Sequence, residues 1–408
     1  MVAPGIVKAD TGDVPRLLHE MLEDDDFDRQ QRVMILMADT GRGHYAAAEA
    51  LRAGLHELSP YMIVVDIVDI WNQHTPLLTG ILVGSLQSIA ENSRVCRGLW
   101  GLSRFPPARK ISDEFMNMRC HKRIRSIFEH GKPDLVVSVH PTCQEVPLRV
   151  LREMGGGTRS IPFVTVVTDL GGTHPTWFHR DVDACFVPSE RPATLARKCG
   201  LAPDQVRLHG LPIHPGFWRE RSAKTELQED LGLISGVKTC LVVGKADDDG
   251  ELEGIAESLG RRLGQSDGEY QVVVVCRRNG AVKDSLEGMN WAPNVHMHAE
   301  GHVRNMGEWM GAVDCIVTRA GSIVIAEAMV RGLPIVLSGF SPGQEDGNVP
   351  FVVEGGFGAF STDPATIADV ISEWLGDDEL LARISARSKL ASRPLATDLI
   401  CEDIGEML

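Results

Sequence analysis

His44 closes the run Val33-Met34-Ile35-Leu36-Met37-Ala38-Asp39-Thr40-Gly41-Arg42-Gly43-His44, and its type and place suit a general base. Histidine has the unperturbed pKa best placed to take a proton from a hydroxyl near neutral pH. The apolar residues 33–37 predict a strand buried on both faces, and Tyr45 to Leu58, rich in alanine, leucine and glutamate, predicts a helix. Gly41 and Gly43 permit a tight turn at the strand's carboxyl end, where open α/β sheets place their ligands. The same histidine could instead only cap the helix, because short glycine patterns are weak signals.

A second group of residues suits an anionic ligand. Asp314 to Thr318 reads as a strand, Ala320-Gly321-Ser322 as a small-residue turn, and Ile323 to Arg331 as a helix. Free amides at such a helix start, around Gly321 and Ser322, form a seat for a diphosphate. Glu327, about one turn further in, is placed to accept two ribose hydroxyls. After another strand candidate, 334–338, the loop Ser341-Pro-Gly-Gln-Glu-Asp-Gly-Asn-Val-Pro350 gathers the directional hydrogen-bonding groups that sugar hydroxyls need, among them Gln344, Glu345 and Asn348.

These residues require strands alternating with helices. Strands are predicted at 32–38, 62–68, 134–139, 162–168 and 184–187, with helical patterns near 44–58, 76–92, 113–130 and 143–154. That is the rhythm of a parallel, doubly wound sheet. Leu208-His-Gly-Leu-Pro-Ile-His-Pro215 reads as a linker. The rhythm restarts at 239–244, 271–276, 295–298, 314–318 and 334–338, so two similar α/β halves facing a cleft are expected.

At 408 residues with 43% hydrophobic and 24% charged residues, the chain can bury two cores and is not disordered. The nine cysteines are scattered, without Cys-x-x-Cys, which speaks for reduced thiols and no structural zinc. A net charge of −15 argues against nucleic acid as a partner. The charge is uneven, however: residues 92–125 carry +7, including Arg94, Arg97 and Arg104, and the remainder −22. Just before them, Pro76 to Ala90 is uncharged and largely apolar but too short to span a bilayer. An apolar stretch followed by basic residues suits a surface lying on an anionic membrane, or equally a core helix followed by a solvated basic one. The acidic first thirty residues do not read as a transit peptide or signal sequence.

Taken together and in order, several segments resemble the monogalactosyldiacylglycerol synthases, relatives of the bacterial transferase that adds N-acetylglucosamine to the peptidoglycan lipid precursor. They are Asp39-Thr-Gly-Arg-Gly-His44, Asp69-Ile-Trp-Asn-Gln-His-Thr-Pro76, Val167-Thr-Asp-Leu170, His174-Pro-Thr-Trp-Phe-His179, Gly210-Leu-Pro-Ile213, Glu308-Trp-Met-Gly-Ala-Val-Asp-Cys315 and Pro342-Gly-Gln-Glu-Asp-Gly-Asn-Val-Pro350. The resemblance covers about Val33 to Trp374. It implies a GT-B glycosyltransferase that moves galactose from UDP-galactose to diacylglycerol with inversion. Residues 1–213 would hold the acceptor and meet the membrane; residues 214–408 would hold the UDP-sugar, with the last helix packing back on the first half. His44 then resembles the family's base, and Gly321, Ser322, Glu327, Gln344, Glu345 and Asn348 its donor-binding set. Gly41, Gly43, Pro76, Arg94, Arg97 and Trp177 fall on the acceptor and membrane side, Pro76 and Trp177 in regions that respond to acidic phospholipid. No cofactor is implied as obligatory, with Mg2+ at most a stimulant, and the family's eukaryotic members work peripherally at plastid (chloroplast) envelope membranes.

The chain departs from the family pattern at Arg42, Arg277 and Ser322-Ile323-Val324, and at Gly244-Lys-Ala-Asp-Asp-Asp-Gly250, where Lys245 or a divalent ion on Asp247–Asp249 is expected to offset the acidic charge. Because these departures cluster on the donor side, two alternatives stay open: a catalytically weak or inactive lipid-binding relative, and a lipid glycosyltransferase using another UDP-sugar.

Overall fold

The computed structural model describes residues 30–38, 42–70, 101, 104–219, 222–244, 249–277 and 279–408. Two six-stranded parallel sheets organise them. The first has the order β2-β1-β3-β4-β5-β6, from β1 (Gln31–Met37), β2 (Ile63–Asp69), β3 (Leu135–Ser138), β4 (Phe163–Val166), β5 (Ala184–Val187) and β6 (Val206–Leu208). The second has the order β12-β11-β10-β7-β8-β9, from β7 (Lys238–Val243), β8 (Tyr270–Val275), β9 (Val295–Glu300), β10 (Cys315–Thr318), β11 (Ile335–Leu337) and β12 (Gly358–Phe360).

Each sheet is covered on both faces, which is why its central strands are continuous apolar runs. In β1, Val33 to Met37 are all buried, alternately joining the two cores on either side of the first sheet, while β7, β8 and β10 form the middle of the second half's core. The chain direction reverses its walk between β1 and β3 in one sheet and between β7 and β10 in the other. Ligands of doubly wound sheets lie at the carboxyl ends of strands flanking such switch points.

Differences from the sequence reading have local causes. Val206 to Leu208 pairs with β5 as a sixth strand, so the first sheet runs into what reads as linker; Arg207 interrupts the apolar run that would have marked it. The segment that follows is anchored: Thr397 Oγ1 accepts from Ile213 N (2.9 Å) and donates to the Ile213 carbonyl (2.7 Å). Gly210 has φ +117°, and a Cβ there would press on Arg393 and Ala396, so the turn requires glycine. The predicted 113–130 helix begins earlier, at Pro106, with prolines in its first turn where no intrahelical N–H is needed. The helix after β1 begins at Arg42, which places His44 inside its first turn. The predicted helix over 76–92 lies outside the described residues.

The C-terminal helix Ala396–Gly405 returns to the first half and packs on the Arg42–Leu58 helix, burying Ile400, Cys401 and Ile404 in that half's core. The two helices approach closely at Gly54, where a Cβ would lie 2.7 Å from Cys401 Sγ and 2.9 Å from Thr397 Cγ2. Gly54→Val is therefore expected to overpack this contact and cost about 1–3 kcal/mol, measured by denaturant unfolding.

Candidate active site between two facing sheets

His44 is buried, 5% exposed, at the first sheet's switch point. Its Nδ1 lies 2.9 Å from the Val139 carbonyl, just beyond β3, and 3.0 Å from Thr168 Oγ1, just beyond β4. A carbonyl can only accept, so Nδ1 carries the proton, shared between the two oxygens, and Nε2 keeps its lone pair. Burial pushes the imidazole down to about 4, against a smaller upward pull from the Val139 bond. Above that pH the ring is neutral with Nε2 unprotonated, the state from which a general base acts.

A second imidazole, His140, stands edge-on to His44 with ring centroids 4.5 Å apart. Its Nδ1 accepts from the Thr142 amide (3.2 Å) and lies 2.8 Å from the Thr142 hydroxyl, so its proton sits on Nε2. Burial, and to a lesser extent His44, hold its pKa well below the usual range. The same turn recurs at His174-Pro175-Thr176, where the Thr176 amide donates to His174 Nδ1 at 3.3 Å. The repeated His-Pro-Thr triplet was the sequence signal for these locked rings, and sequence reasoning did not use it.

Trp177 is fully buried. Its ring centre is 6.1 Å from that of His44, and its Nε1 donates to Asp169 Oδ2 at 2.7 Å. Asp169 is itself buried, and desolvation raises its pKa to about 6 despite the bonds from Trp177 and Gln344. Asp169 was quoted in the sequence only as part of a motif; its central position comes from the fold.

The second half brings its turn and loop to the same place. Gly321 precedes the Ser322–Arg331 helix, and a Cβ on Gly43 would touch Ile323 of that helix at 3.6 Å, so the base loop and the donor-side helix start face each other. Gln344 Nε2 donates to Asp169 Oδ1 at 3.4 Å. Glu345 Oε2 accepts from the Ser341 amide at 2.5 Å and braces its own loop. Asn348 is buried and fully engaged: Nδ2 donates to the Ala320 carbonyl (2.8 Å) and to Ser322 Oγ (3.1 Å), and Oδ1 accepts from Gly171 N (3.0 Å). Ser322 Oγ also accepts from Leu170 N at 3.3 Å. Asn348 and Ser322 thus serve as ties between the halves.

Glu327 lies on the Ser322–Arg331 helix, where desolvation raises its pKa to about 8 while the nearby Arg277 guanidinium pulls it down. Arg277 itself has φ +55°, a left-handed conformation that glycine adopts freely and arginine at a cost. Gly41, Pro76, Arg94, Arg97 and the segment 245–248 lie outside the described residues.

Paired doubly wound halves, with a buried histidine on one facing a small-residue helix start on the other, are the architecture of the GT-B glycosyltransferase class. The fold likeness extends to MurG of Acinetobacter baumannii, with a TM-score of 0.61 at 15% identity over 92% of this chain and 99% of that one. It also extends to a UDP-GlcNAc 2-epimerase from Neisseria meningitidis solved with UDP-GlcNAc, with a TM-score of 0.58 at 14% identity over 92% and 100%. A family model described as monogalactosyldiacylglycerol (MGDG) synthase matches residues 44–213. The chain is 37% identical over 391 residues to monogalactosyldiacylglycerol synthase 1, chloroplastic, of Arabidopsis thaliana, covering 93% of this chain and 72% of that protein. With the spinach (Spinacia oleracea) chloroplastic enzyme it shares 37% identity over 388 residues, 93% and 73% of the two chains. The chain belongs to the monogalactosyldiacylglycerol synthase family.

Two outcomes follow from this geometry. His44→Ala is expected to lower turnover by about 10² to 10⁴ while leaving nucleotide affinity unchanged, checked by steady-state kinetics beside calorimetric titration. Glu327 has a higher pKa folded than unfolded, so the native state binds its proton more tightly and loses stability as pH rises from about 4.5 to about 8. The melting temperature of Glu327→Gln minus that of the wild type is expected to grow across this window and to level off above it.

Proposed function

We propose that the protein transfers galactose from UDP-galactose to the free hydroxyl of diacylglycerol with inversion. The observation that carries this is His44, held neutral with its proton on Nδ1 in the first half and set against the donor-side helix start of the second. Inverting transfer needs one base on the acceptor side and electrostatic support for the leaving diphosphate on the other. His44 Nε2 takes the glycerol hydroxyl proton as its oxygen attacks the anomeric carbon, and the bond to the diphosphate breaks on the opposite face. The amides in the first turn of the Ser322–Arg331 helix receive the diphosphate charge, the Gly321 amide being already given to the Arg319 carbonyl (2.8 Å), while Glu327 receives the ribose and Gln344 with Glu345 the sugar. An approaching diphosphate would raise the His44 pKa from about 4 and strengthen it as a proton acceptor.

Diacylglycerol resides in bilayers, so its enzyme must meet one. The described part of the basic segment supports peripheral contact with an anionic membrane. On the Pro106–Gly131 helix, Ile111 (73% exposed), Phe115 and Met118 (80% exposed) share one face, with Lys110, Arg119 and Lys122 exposed beside it and Phe105 exposed just ahead. Apolar residues presented to solvent among cations suit insertion at a headgroup boundary. No helix among the described residues is long and apolar enough to cross a membrane. Since relatives are named chloroplastic, the plastid envelope is the proposed membrane. The transfer itself is proposed to need no resident metal, with Mg2+ acting at most on the 245–249 acidic loop.

The test is transfer of labelled galactose from UDP-galactose to diacylglycerol in phosphatidylglycerol-containing vesicles, with and without Mg2+. Galactolipid formation is expected. Transfer only from another UDP-sugar would reassign the donor, and vesicle binding without UDP binding would point to a non-catalytic lipid-binding relative. Charge reversal at Arg94, Arg97 and Arg104 is expected to weaken vesicle flotation, with added salt acting in the same direction.

A further inference from the structure

Four consecutive residues, Thr168 to Gly171, link the base to the donor loop. The Thr168 hydroxyl accepts from His44 Nδ1 (3.0 Å), and Asp169 Oδ1 accepts from Gln344 Nε2 (3.4 Å). The next two amides, of Leu170 and Gly171, donate to Ser322 Oγ (3.3 Å) and Asn348 Oδ1 (3.0 Å). Backbone meets backbone along this seam: a Cβ built on Gly171 would fall on the Gly347 carbonyl, and one on Gly172 on the Gln344 carbonyl. Two halves joined by glycine-to-glycine contact can approach more closely than any side chain would permit.

Within these four residues the Asp169 carboxylate hydrogen-bonds toward both halves, while the Leu170 side chain joins the second half's apolar core. Asp169 Oδ2 takes the Trp177 indole N–H at 2.7 Å, beside the His44 ring, and its Oδ1 takes the Gln344 amide. We propose that Asp169 is a positioning residue, whose carboxylate sets the donor loop at Gln344 in register with the Trp177–His44 wall so that the bound sugar meets the base. The proposal deepens the reading of Gln344 as a sugar contact and rests on it. Alignment of reacting groups is where small displacements cost most rate, and a residue that only aligns them acts on turnover more than on binding.

Asp169→Asn tests this, because its amide nitrogen must turn a donor toward either the Trp177 or the Gln344 N–H. Galactose transfer is expected to lose roughly 10- to 100-fold in kcat, with UDP affinity within about twofold of wild type. The Asp169→Asn/Gln344→Ala double variant is expected to fall by less than the product of the single losses, because both changes break one contact. Multiplying losses, an unchanged kcat, or a UDP affinity that falls in step with kcat would overturn the proposal. Amide hydrogen exchange at Leu170 and Gly171 reads the seam without turnover: protection lost in Asp169→Asn supports it, and protection retained overturns it. If the wild type transfers no galactose while this exchange response is present, the proposed reaction fails and the positioning role stands.

Discussion

The proton on His44 Nδ1, shared between the Val139 carbonyl and the Thr168 hydroxyl, is the contact on which the chemistry of this molecule turns. An imidazole has two interchangeable nitrogens, and only an acceptor that cannot itself donate removes the ambiguity. Val139 supplies that acceptor because the first sheet puts the carboxyl end of β3 beside that of β1. Burial then does the rest by disfavouring the charged ring. Tautomer and charge state are therefore properties of sheet topology, carried to one atom.

The opposite carboxyl and carboxylic groups are tuned by the same force acting in the other direction. Desolvation raises Asp169 to about 6 and Glu327 to about 8, shifting both toward the neutral acid. Under the proposed transfer, a diphosphate leaving group gains from little negative charge beside it. The neighbouring Arg277, in its left-handed backbone conformation, adds a cation near Glu327.

Much of this was legible along the chain. Continuous apolar runs between glycine turns are sufficient to mark the central strands, because a strand covered on both faces has no polar alternation to lose. His44, Glu327 and Gln344 were legible because each follows such a strand at a distance set by a turn or a helix. Asp169 and His140 were not, since nothing in Thr-Asp-Leu or Val-His-Pro announces a carboxylate that reaches across a cleft or a ring packed on another ring. Short strands such as Val206–Leu208 and Gly358–Phe360 escaped because Arg207 and Gly358 leave no continuous apolar run, whereas the equally short Ile335–Leu337 lies in the apolar run after Gly332 and was legible.

By itself the sequence determined the two-fold repetition of α/β halves and the family, and it marked His44 and the Gly321-Ser322 turn as candidates, all of which depend on residue order over a few dozen positions. Only the tertiary structure decided that Trp177 lies inside the site, that Asn348 and Ser322 are spent on joining the halves, and that four residues after β4 connect base to donor loop. Such facts depend on contacts between positions about 26 to 177 residues apart. Local propensity carries no information at that range, because a hydrogen bond across the cleft exists only once both sheets have formed and their glycines have let the backbones meet.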